Sequence, residues 1–304
     1  MNHILRPLPF VLASTNIGTM IINHCDRHSH PMPNPANEDK SPTKQNAGGG
    51  GANKTNEADK SSNANQSNSA SFGVGFQYLQ TASFDADEVM SAVSLLHLRK
   101  QYFGEGVVAI DGGANIGSHA IAWGIEMTYF GEVLAFEPQE RIYYALCGNI
   151  TINNCFNVRA LHAALGNPSQ DTTQNPTIEV PILNYATNSS FGSLELRQRE
   201  NNEYIGQPID YARTQKVPLI SIDSLNLPRL DYVKIDCEGM EIEVLNGAMK
   251  SIQKHKPILQ IEVIKSNPQE IIALLKDYEI FPFGINFLCV HKDDPCLSHI
   301  NKNE

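Results

Sequence analysis

Residues 107–118 read Val-Val-Ala-Ile-Asp-Gly-Gly-Ala-Asn-Ile-Gly-Ser and contain the clearest structural signal in the chain. The first five residues form an apolar run, rich in β-branched side chains, which predicts a buried parallel strand ending at Asp111. A glycine-rich turn follows, and the spacing of apolar residues over 116–127 predicts a helix. A strand, an acidic residue, a glycine-rich turn and a helix in this order indicate a binding site for a nucleoside cofactor.

The alternation of strands and helices continues on both sides of this segment. Further helices are predicted over 85–103, 139–152, 240–254 and 268–277. Further strands are predicted over 132–137, 158–164, 217–222, 231–236 and 257–263, with a closing pair over 280–283 and 287–291. This pattern predicts an α/β, Rossmann-like fold with a doubly wound, mostly parallel sheet and an antiparallel closing strand. The polar stretch 165–216 interrupts the alternation, and we expect it to border the substrate site.

Composition divides the chain into three parts. Residues 27–70 are dominated by Asn, Ser, Pro, Gly, Lys and Ala and contain almost no large apolar side chain. Such a segment cannot bury enough apolar surface to offset its ordering entropy, so it predicts a disordered, low-complexity linker. Before it lies a short N-terminal segment of unknown role, 1–26, and after it one α/β domain, 71–304.

Charge and cysteine content restrict the partners and the location of the protein. The formal net charge is −10, and an acidic surface repels a phosphate backbone, so we expect no nucleic-acid partner. The six cysteines form no C-x-x-C pair, which predicts reduced thiols in a cytoplasmic protein without structural zinc. No apolar run has the length of a membrane span. The apolar stretch within 4–22 resembles a secretion signal only weakly, because two prolines interrupt the segment.

The turn and two strand ends supply the candidate cofactor ligands. Gly112, Gly113 and Gly117 would let the backbone turn tightly and approach a ligand, and the helix start offers N–H groups to an anion such as a methionine carboxylate. Asp111 could accept a hydrogen bond from an α-ammonium group. Glu137, at the end of the next predicted strand, could accept hydrogen bonds from both hydroxyls of a ribose.

These residues favour S-adenosylmethionine, but two alternatives stay open. NAD is the chief rival, although the turn lacks the first Gly-x-Gly step of the dinucleotide motif G-x-G-x-x-G. The turn could also serve only to pack a helix on a strand. A catalytically silent protein that binds a cofactor on the same fold is a further alternative to an enzyme.

The segment 231–248, Asp-Tyr-Val-Lys-Ile-Asp-Cys-Glu-Gly-Met-Glu-Ile-Glu-Val-Leu-Asn-Gly-Ala, closely resembles the hallmark segment of the FkbM-type methyltransferase family. Motifs at 111–117, 136–138, 162–166, 220–225 and 261–262 extend the likeness in order over about 105–265. The resemblance implies a class I methyltransferase fold and O-methylation of a sugar or a small secondary metabolite. It implies a cofactor site made of Asp111, Gly112, Gly113, Ala114, Asn115, Gly117, Glu137, His162, Ala163 and Ala164, the last three on the adenine side. Cys237 departs from the family pattern, where an aliphatic residue is more usual.

The end of the predicted strand 231–236 supplies the candidate catalytic residues. Asp236 is the first candidate for the general base or for positioning the acceptor, Glu238 is the second, and strand alternation places Lys234 on the same side of the sheet. Asp236 and Glu238 could instead cap the following helix, and Lys234 could simply pair with a nearby acid. His162 is a possible base, but a packed or hydrogen-bonded histidine is the preferred interpretation.

An ordinary aspartate is a weak base for an alcohol, so it needs a raised pKa or a cation that acidifies the hydroxyl. We expect no metal site, with one possible exception: Asp236, Glu238 and Glu262 offer carboxylate oxygens that suit Mg²⁺. The segment 188–193 is a further candidate for contact with the cofactor or the acceptor.

Overall fold

The structure is a computed structural model that describes residues 7–31, 69–168 and 175–300. Its strands are β1 (Phe10–Thr15), β2 (Gly18–Asn23), β3 (His28–Pro31), β4 (Ser69–Phe72), β5 (Val107–Gly112), β6 (Gly131–Phe136), β7 (Val158–Leu161), β8 (Ala164–Leu165), β9 (Thr177–Pro181), β10 (Thr214–Ile220), β11 (Tyr232–Ile235), β12 (Ile258–Glu262), β13 (Tyr278–Phe283) and β14 (Asn286–His291). Its helices are α1 (Val74–Thr81), α2 (Ala86–Phe103), α3 (Ser118–Glu126), α4 (Glu140–Ile152), α5 (Glu241–Asn246), α6 (Met249–His255) and α7 (Pro268–Leu274). Short 3₁₀ helices lie at Ile222–Leu225 and Pro295–His299.

Seven strands form the central sheet in the order β7-β6-β5-β11-β12-β14-β13. Strands β7 to β12 in this order run parallel, whereas β14 is antiparallel to both of its neighbours. The order therefore confirms the predicted class I methyltransferase fold with its reversed closing strand. The chain leaves β5 on one side and returns to β11 on the other, so a crevice opens at the carboxyl ends of these two strands.

Helices cover both faces of the sheet because the side chains of each strand alternate between the faces. In β5, Val107 and Ala109 pack into one apolar cluster, together with α2, α3 and α4. Val108 and Ile110 pack into a second cluster, together with α5, α6 and α7. All residues of β5, β11 and β12 are buried, including the polar side chains of Asp111, Lys234 and Glu262 near the carboxyl ends of these strands.

Two predicted elements end differently in the structure. The strand predicted over 158–164 leaves the central sheet after Leu161, and Ala164–Leu165 pairs instead with β10. The helix predicted over 240–254 is divided into α5 and α6. The carbonyl of Gly247 accepts a hydrogen bond from the backbone N–H of Asp223 at 2.9 Å, a contact with another segment at the point of division.

The N-terminal segment packs on the α/β domain, which its composition did not predict. Strands β1 and β2 form an antiparallel hairpin, and Met20 and Ile22 are buried in the core. The side chain of Asn149 in α4 donates to the carbonyl of Ile21 at 3.2 Å, and that of Asn153 donates to the carbonyl of Thr19 at 2.8 Å. One amide in α4 and one at its C-cap therefore hold the edge of the hairpin.

The prediction of a disordered linker over 27–70 is wrong at both ends of that segment. Strands β3 and β4 pair antiparallel, with His28 opposite Phe72. This pairing satisfies backbone N–H and C=O groups and does not require large apolar side chains, so a polar composition does not exclude it. Helix α1 follows directly and was not predicted. Residues 32–68 lie outside the described part of the chain.

All six cysteines are unpaired, and four of them are buried. Burial raises the pKa of the Cys155 thiol and raises that of Cys296 to about 12, so both thiols stay protonated at neutral pH. Within residues 7–31, 69–168 and 175–300, no helix combines the length and the apolar character that crossing a membrane requires.

Candidate active site

A cavity of about 520 Å³ lies at the carboxyl ends of β5, β6, β11 and β12. Most of the predicted site residues line it: Gly113, Ala114, Asn115, Glu137, Ala163, Ala164, Lys234, Asp236, Glu238 and Glu262. Asp111, Gly112, Gly117 and His162 are not among its lining residues. The fold thus brings the candidate cofactor residues and the candidate catalytic residues to one cavity.

Glu137 is the best-defined polar group on the β6 side of the cavity. Its side chain is buried, one oxygen accepts from the backbone N–H of Gln139 at 2.7 Å, and the other accepts from that of Asn115 at 3.0 Å. Burial raises the pKa of Glu137 to about 8, although the two hydrogen bonds act in the opposite direction. Each carboxylate oxygen keeps a further lone pair, which is what binding two adjacent hydroxyls requires.

The glycines of the turn are needed for packing. Gly113 has a φ of +78°, and a Cβ there would lie 1.8 Å from the carbonyl oxygen of Asp236. Gly117 has a φ of +97°, and a Cβ there would lie 2.7 Å from the side chain of Leu146. At these two positions the structure places protein atoms where the sequence analysis expected a ligand. The turn after β5 therefore lies directly against the end of β11.

Asp111 lies behind the cavity wall. Its side chain is buried, and one oxygen accepts from the backbone N–H of Ala120 at 3.1 Å, which fixes the first turn of α3. The other oxygen has no hydrogen-bond partner among the described residues. Burial raises the pKa of Asp111 to about 6, and the nearby Lys234 partly offsets this rise.

His119 lines the cavity and was missed by the sequence analysis. It follows the glycine-rich turn at the start of α3, so its position beside the motif was the available signal. Its ring packs edge-on against Trp123 with the ring centroids 5.5 Å apart, and its buried Nε2 has no partner within the described residues. Burial lowers the pKa of His119 well below its usual value, so the imidazole is neutral at pH 7.

Lys234 and Asp236 form an ion pair at the end of β11, with Nζ and Oδ2 2.8 Å apart. Burial alone would lower the pKa of Lys234, but the carboxylates of Asp236 and Asp111 outweigh burial and raise it above the usual value. Lys234 is therefore a permanent cation that fixes one oxygen of Asp236. The sequence analysis left open that Lys234 simply pairs with a nearby acid, and that acid is Asp236.

A second lysine holds the next carboxylate along the chain. Lys265 Nζ lies 2.6 Å from Oε2 of Glu238 and 2.8 Å from Oε2 of Glu203, and it donates to the carbonyl of Ser193 at 3.0 Å. Burial and the charge of Asp236 raise the pKa of Glu238 well above its usual value. Lys265 therefore links the loop after β11 to the polar stretch that precedes β10.

Glu262 completes a cluster of three carboxyl groups. One oxygen each from Asp236, Glu238 and Glu262 lies within 4.8 Å of the others, a spacing that could accommodate a divalent cation. Burial, and then the charge of Asp236, raise the pKa of Glu262 to about 8, and its Oε2 has no partner in the described residues. The ammonium groups of Lys234 and Lys265 already pair with two of the three acids.

Neither Asp236 nor Glu238 acts as the cap of the following helix. The N-cap residue of α5 is Met240, and no side chain caps this helix. The Oε1 of Glu241 instead accepts from the backbone N–H groups of Cys237 and Gly239, at 3.0 and 3.1 Å, in the turn before the helix. The helix-capping alternative for Asp236 and Glu238 is therefore wrong, and both side chains line the cavity instead.

His162 is a packed residue on the far side of β6. Its Nε2 lies 3.1 Å from the carbonyl oxygen of Pro138, and its ring stacks on Tyr143 with centroids 4.8 Å apart. Its neighbours Ala163 and Ala164 line the cavity, as do Ser190, Gly192 and Ser193 of the polar stretch. The structure therefore favours a packing role for His162 over a role as base.

A family model described as the methyltransferase FkbM domain matches residues 111–280, which include both sides of the cavity. The chain belongs to the FkbM methyltransferase family. No curated protein matches this FkbM-type methyltransferase.

Solved structures give a weaker likeness to this FkbM-type methyltransferase. Methyltransferase FkbM from Methylobacillus flagellatus KT is 20% identical, with a TM-score of 0.40, and the match covers 66% of this chain and 48% of that one. The match thus spans about half the length of that protein. Precorrin-6y C5,15-methyltransferase from Geobacter metallireducens GS-15 is 13% identical over 67% of this chain and 86% of its own, with a TM-score of 0.38. The tRNA (uracil-54, C5)-methyltransferase of Pyrococcus abyssi, solved with S-adenosyl-L-homocysteine, is 14% identical over 69% of this chain and 39% of its own, with a TM-score of 0.32.

Proposed function

We propose that the protein is an S-adenosylmethionine-dependent O-methyltransferase that acts on a hydroxyl group of a sugar or a small secondary metabolite. The observation that carries this proposal is the position of Asp236. Its carboxylate lies at the end of β11, in the same cavity as Glu137, and Lys234 holds one of its oxygens. A base with a fixed orientation, and with one oxygen not held by Lys234, close to a nucleoside-binding carboxylate suits methyl transfer in which the hydroxyl loses its proton as it attacks, so that no free alkoxide forms.

On the cofactor side, the chain offers partners for the ribose, the adenine and the carboxylate of the donor molecule. Bound S-adenosylmethionine supplies an electrophilic methyl group on a sulfonium. Glu137 would hold the ribose hydroxyls, and Ala163 and Ala164 would lie on the adenine side. The turn at 113–115 and the first N–H groups of α3 would hold the methionine carboxylate, because a helix start favours an anion.

On the acceptor side, Asp236 would hold the acceptor hydroxyl and take its proton; the bond from the methyl carbon to the sulfonium sulfur would break as the bond to the acceptor oxygen forms, leaving a neutral thioether. Lys234 fixes the carboxylate in place and remains charged throughout. Glu262, with a pKa of about 8, is largely protonated at neutral pH and can donate a hydrogen bond to a second acceptor oxygen. Ile264 and Ile285 supply apolar wall beside these polar groups, which suits a hydroxyl-bearing molecule with an apolar face.

The proposal includes a cytoplasmic location, in line with six unpaired cysteines, and a small acceptor in preference to nucleic acid, in line with the net charge of −10. It assigns no step to a metal ion. Lys234 and Lys265 already balance Asp236 and Glu238, so the acidic cluster does not depend on a cation for neutrality.

A thermal-shift comparison tests the choice of cofactor. Saturating S-adenosylhomocysteine should raise the melting temperature of the purified protein by several degrees, because a ligand at one hundred times its Kd stabilises by about 2.7 kcal/mol. NAD at the same concentration should produce no shift. Stabilisation by NAD without stabilisation by S-adenosylhomocysteine would mean that the proposal is wrong. Where S-adenosylhomocysteine does stabilise the protein, mass spectrometry of cell extract incubated with the protein and isotopically labelled methyl donor would identify the acceptor.

A further inference from the structure

Asp26, which lies outside the family match, is buried between two walls of the cavity. Its side chain is 3% exposed. One carboxylate oxygen accepts from the backbone N–H of Phe191 at 3.1 Å, and the other accepts from that of Gly75 at 3.2 Å. Phe191 lies in the polar stretch before β10, and Gly75 lies in the first turn of α1. A single carboxylate therefore ties together two segments that are more than one hundred residues apart in sequence.

Backbone contacts reinforce this junction. The carbonyl of Asp26 accepts from the N–H of Phe76 at 2.9 Å, and the carbonyl of Cys25 accepts from that of Ser189 at 3.0 Å. A Cβ on Gly73 would lie 2.5 Å from the Asp26 carbonyl oxygen, so glycine is required for this close approach. The N-terminal segment is thus fitted closely against α1 and the loop at 189–191.

Both segments that Asp26 joins contribute to the cavity. Gly73 and Val74 line it next to the start of α1, and Ser190 and Gly192 line it on either side of Phe191. Phe191 itself is fully buried. The peptide that Asp26 holds therefore sets the position of the cavity wall at this point.

A chain of hydrogen bonds runs from Asp26 to Glu137. The carbonyl of Phe191 accepts from Nε2 of Gln139 at 2.9 Å, and the backbone N–H of Gln139 donates to Oε1 of Glu137 at 2.7 Å. Tyr185 steadies the middle of this chain, because its hydroxyl donates to Oε1 of Gln139 at 3.2 Å. Movement of the Phe191 backbone would therefore shift Gln139 and, through it, the Glu137 carboxylate that is assigned to the ribose.

We propose that Asp26 is a positioning residue for the cofactor site, acting on Glu137 through the Phe191 peptide and Gln139. This inference rests on the proposed function. It makes the N-terminal segment, for which the family resemblance offers no counterpart, a working part of the site. An ionised carboxylate is suited to the role, because hydrogen bonds from N–H groups to a charged acceptor are about twice as strong as neutral ones.

The test measures S-adenosylhomocysteine affinity by calorimetry in three full-length variants. Asp26→Asn places an N–H₂ donor against one of the two backbone N–H groups, so the Kd should rise about tenfold, the weight of one hydrogen bond to a charged group. Gln139→Leu removes the middle link and should raise the Kd by a similar factor. The Kd of the double variant should be no higher than that of the single variant with the higher Kd, since both changes break the same chain of contacts.

Asn153→Ala is the matched control. It removes the contacts of the α4 C-cap residue with Thr19, so it loosens the same N-terminal segment without touching the loop at 189–191. It should lower the melting temperature and leave the Kd unchanged. An equal loss of affinity in this control would overturn the inference, because segment stability alone would then explain the effect.

Three other outcomes have a defined meaning. A folded Asp26→Asn variant with wild-type affinity, or additive effects in the double variant, would overturn the inference and leave the proposed function intact. Should Asp26→Asn fail to fold, Gln139→Leu alone decides, and wild-type affinity in that variant overturns the inference. A wild-type protein without affinity for S-adenosylhomocysteine would overturn the proposed function and this inference together.

Discussion

The two sides of the cavity hold their carboxylates in different ways. On the cofactor side, backbone N–H groups do so: Glu137 accepts from Gln139 and Asn115, and Asp111 accepts from Ala120. On the acceptor side, lysine side chains hold the acids. Lys234 pairs with Asp236 and Lys265 pairs with Glu238.

This difference separates what the fold determines from what individual side chains determine. Backbone donors are positioned by the turn after β5 and by the start of α4, so any chain that forms these elements presents them. Lysine ammonium groups sit on flexible stems and can be replaced or moved by single substitutions. We infer that the cofactor side is set by the fold, and that the acceptor side is adjustable and, under the proposed function, selects the acceptor.

Substitution of Asp236 should produce the largest effect and should confine it to the acceptor side. Asp236→Asn removes the base while keeping the shape of the side chain, so turnover should fall by about 10²- to 10⁴-fold. The Kd for S-adenosylhomocysteine should stay within twofold of wild type. Methyl transfer from labelled donor and calorimetry measure the two quantities, with Asp87→Asn on the exposed start of α2 as the control. Normal turnover in Asp236→Asn would remove Asp236 from the mechanism.

Substitution of Glu137 should produce the next largest effect, on the opposite side of the cavity. Glu137→Ala removes the acceptor for two ribose hydroxyls, and each hydrogen bond to a charged group contributes about 1.5–3 kcal/mol, so the Kd for S-adenosylhomocysteine should rise at least about 100-fold. The rate at saturating donor should change far less than it does in Asp236→Asn. Calorimetry checks the first expectation. Unchanged affinity would show that the ribose lies elsewhere.

The cofactor side could be predicted from sequence because its geometry is local. The strand, the glycine turn and the strand-end acid are adjacent in sequence or separated by one helix, and their order fixes where Asp111 and Glu137 lie. Packing against distant segments could not be predicted in this way: a Cβ on Gly113 would lie 1.8 Å from the carbonyl oxygen of Asp236, and Asp111 lies behind the wall of the cavity.

The acceptor side and the N-terminal segment could not be predicted in the same way. The pairing of Lys265 with Glu238 and Glu203 joins three separate segments, and no periodicity reports such a contact. Likewise, β1 and β2 are short, and their pairing with α4 depends on two asparagine amides 128 and 134 residues away. Composition predicted a linker over 27–70, but it could not predict that residues near both ends pair as β3 and β4 through backbone hydrogen bonds.

The pH dependence of cofactor affinity should sharpen the assignment of Glu137. Its pKa of about 8 in the folded protein lies above the reference value of 4.5, so Glu137 binds a proton in the folded state over the range between. The stability that this group contributes is therefore full below pH 4.5 and is lost as the pH rises through about 8. Ribose hydroxyls donate to the ionised form, so affinity should rise by up to about tenfold per pH unit between pH 6 and 8. Calorimetry across this range checks the slope, and an unchanged slope in Glu137→Gln would assign it to another group.

Removal of divalent cations should have the smallest effect on the rate of methyl transfer. This experiment tests the acceptor side of the cavity. Each acid of the cluster is already paired with a lysine or has a raised pKa. Lys234 pairs with Asp236, Lys265 pairs with Glu238, and the pKa of Glu262 is about 8. A cation would have to displace an ammonium group from Asp236 or Glu238, or a proton from Glu262. Methyl transfer measured with excess EDTA should therefore stay within twofold of the rate measured with added Mg²⁺. Loss of activity in EDTA with full recovery in Mg²⁺ would show that a cation, and not Lys234, orients Asp236 during the reaction.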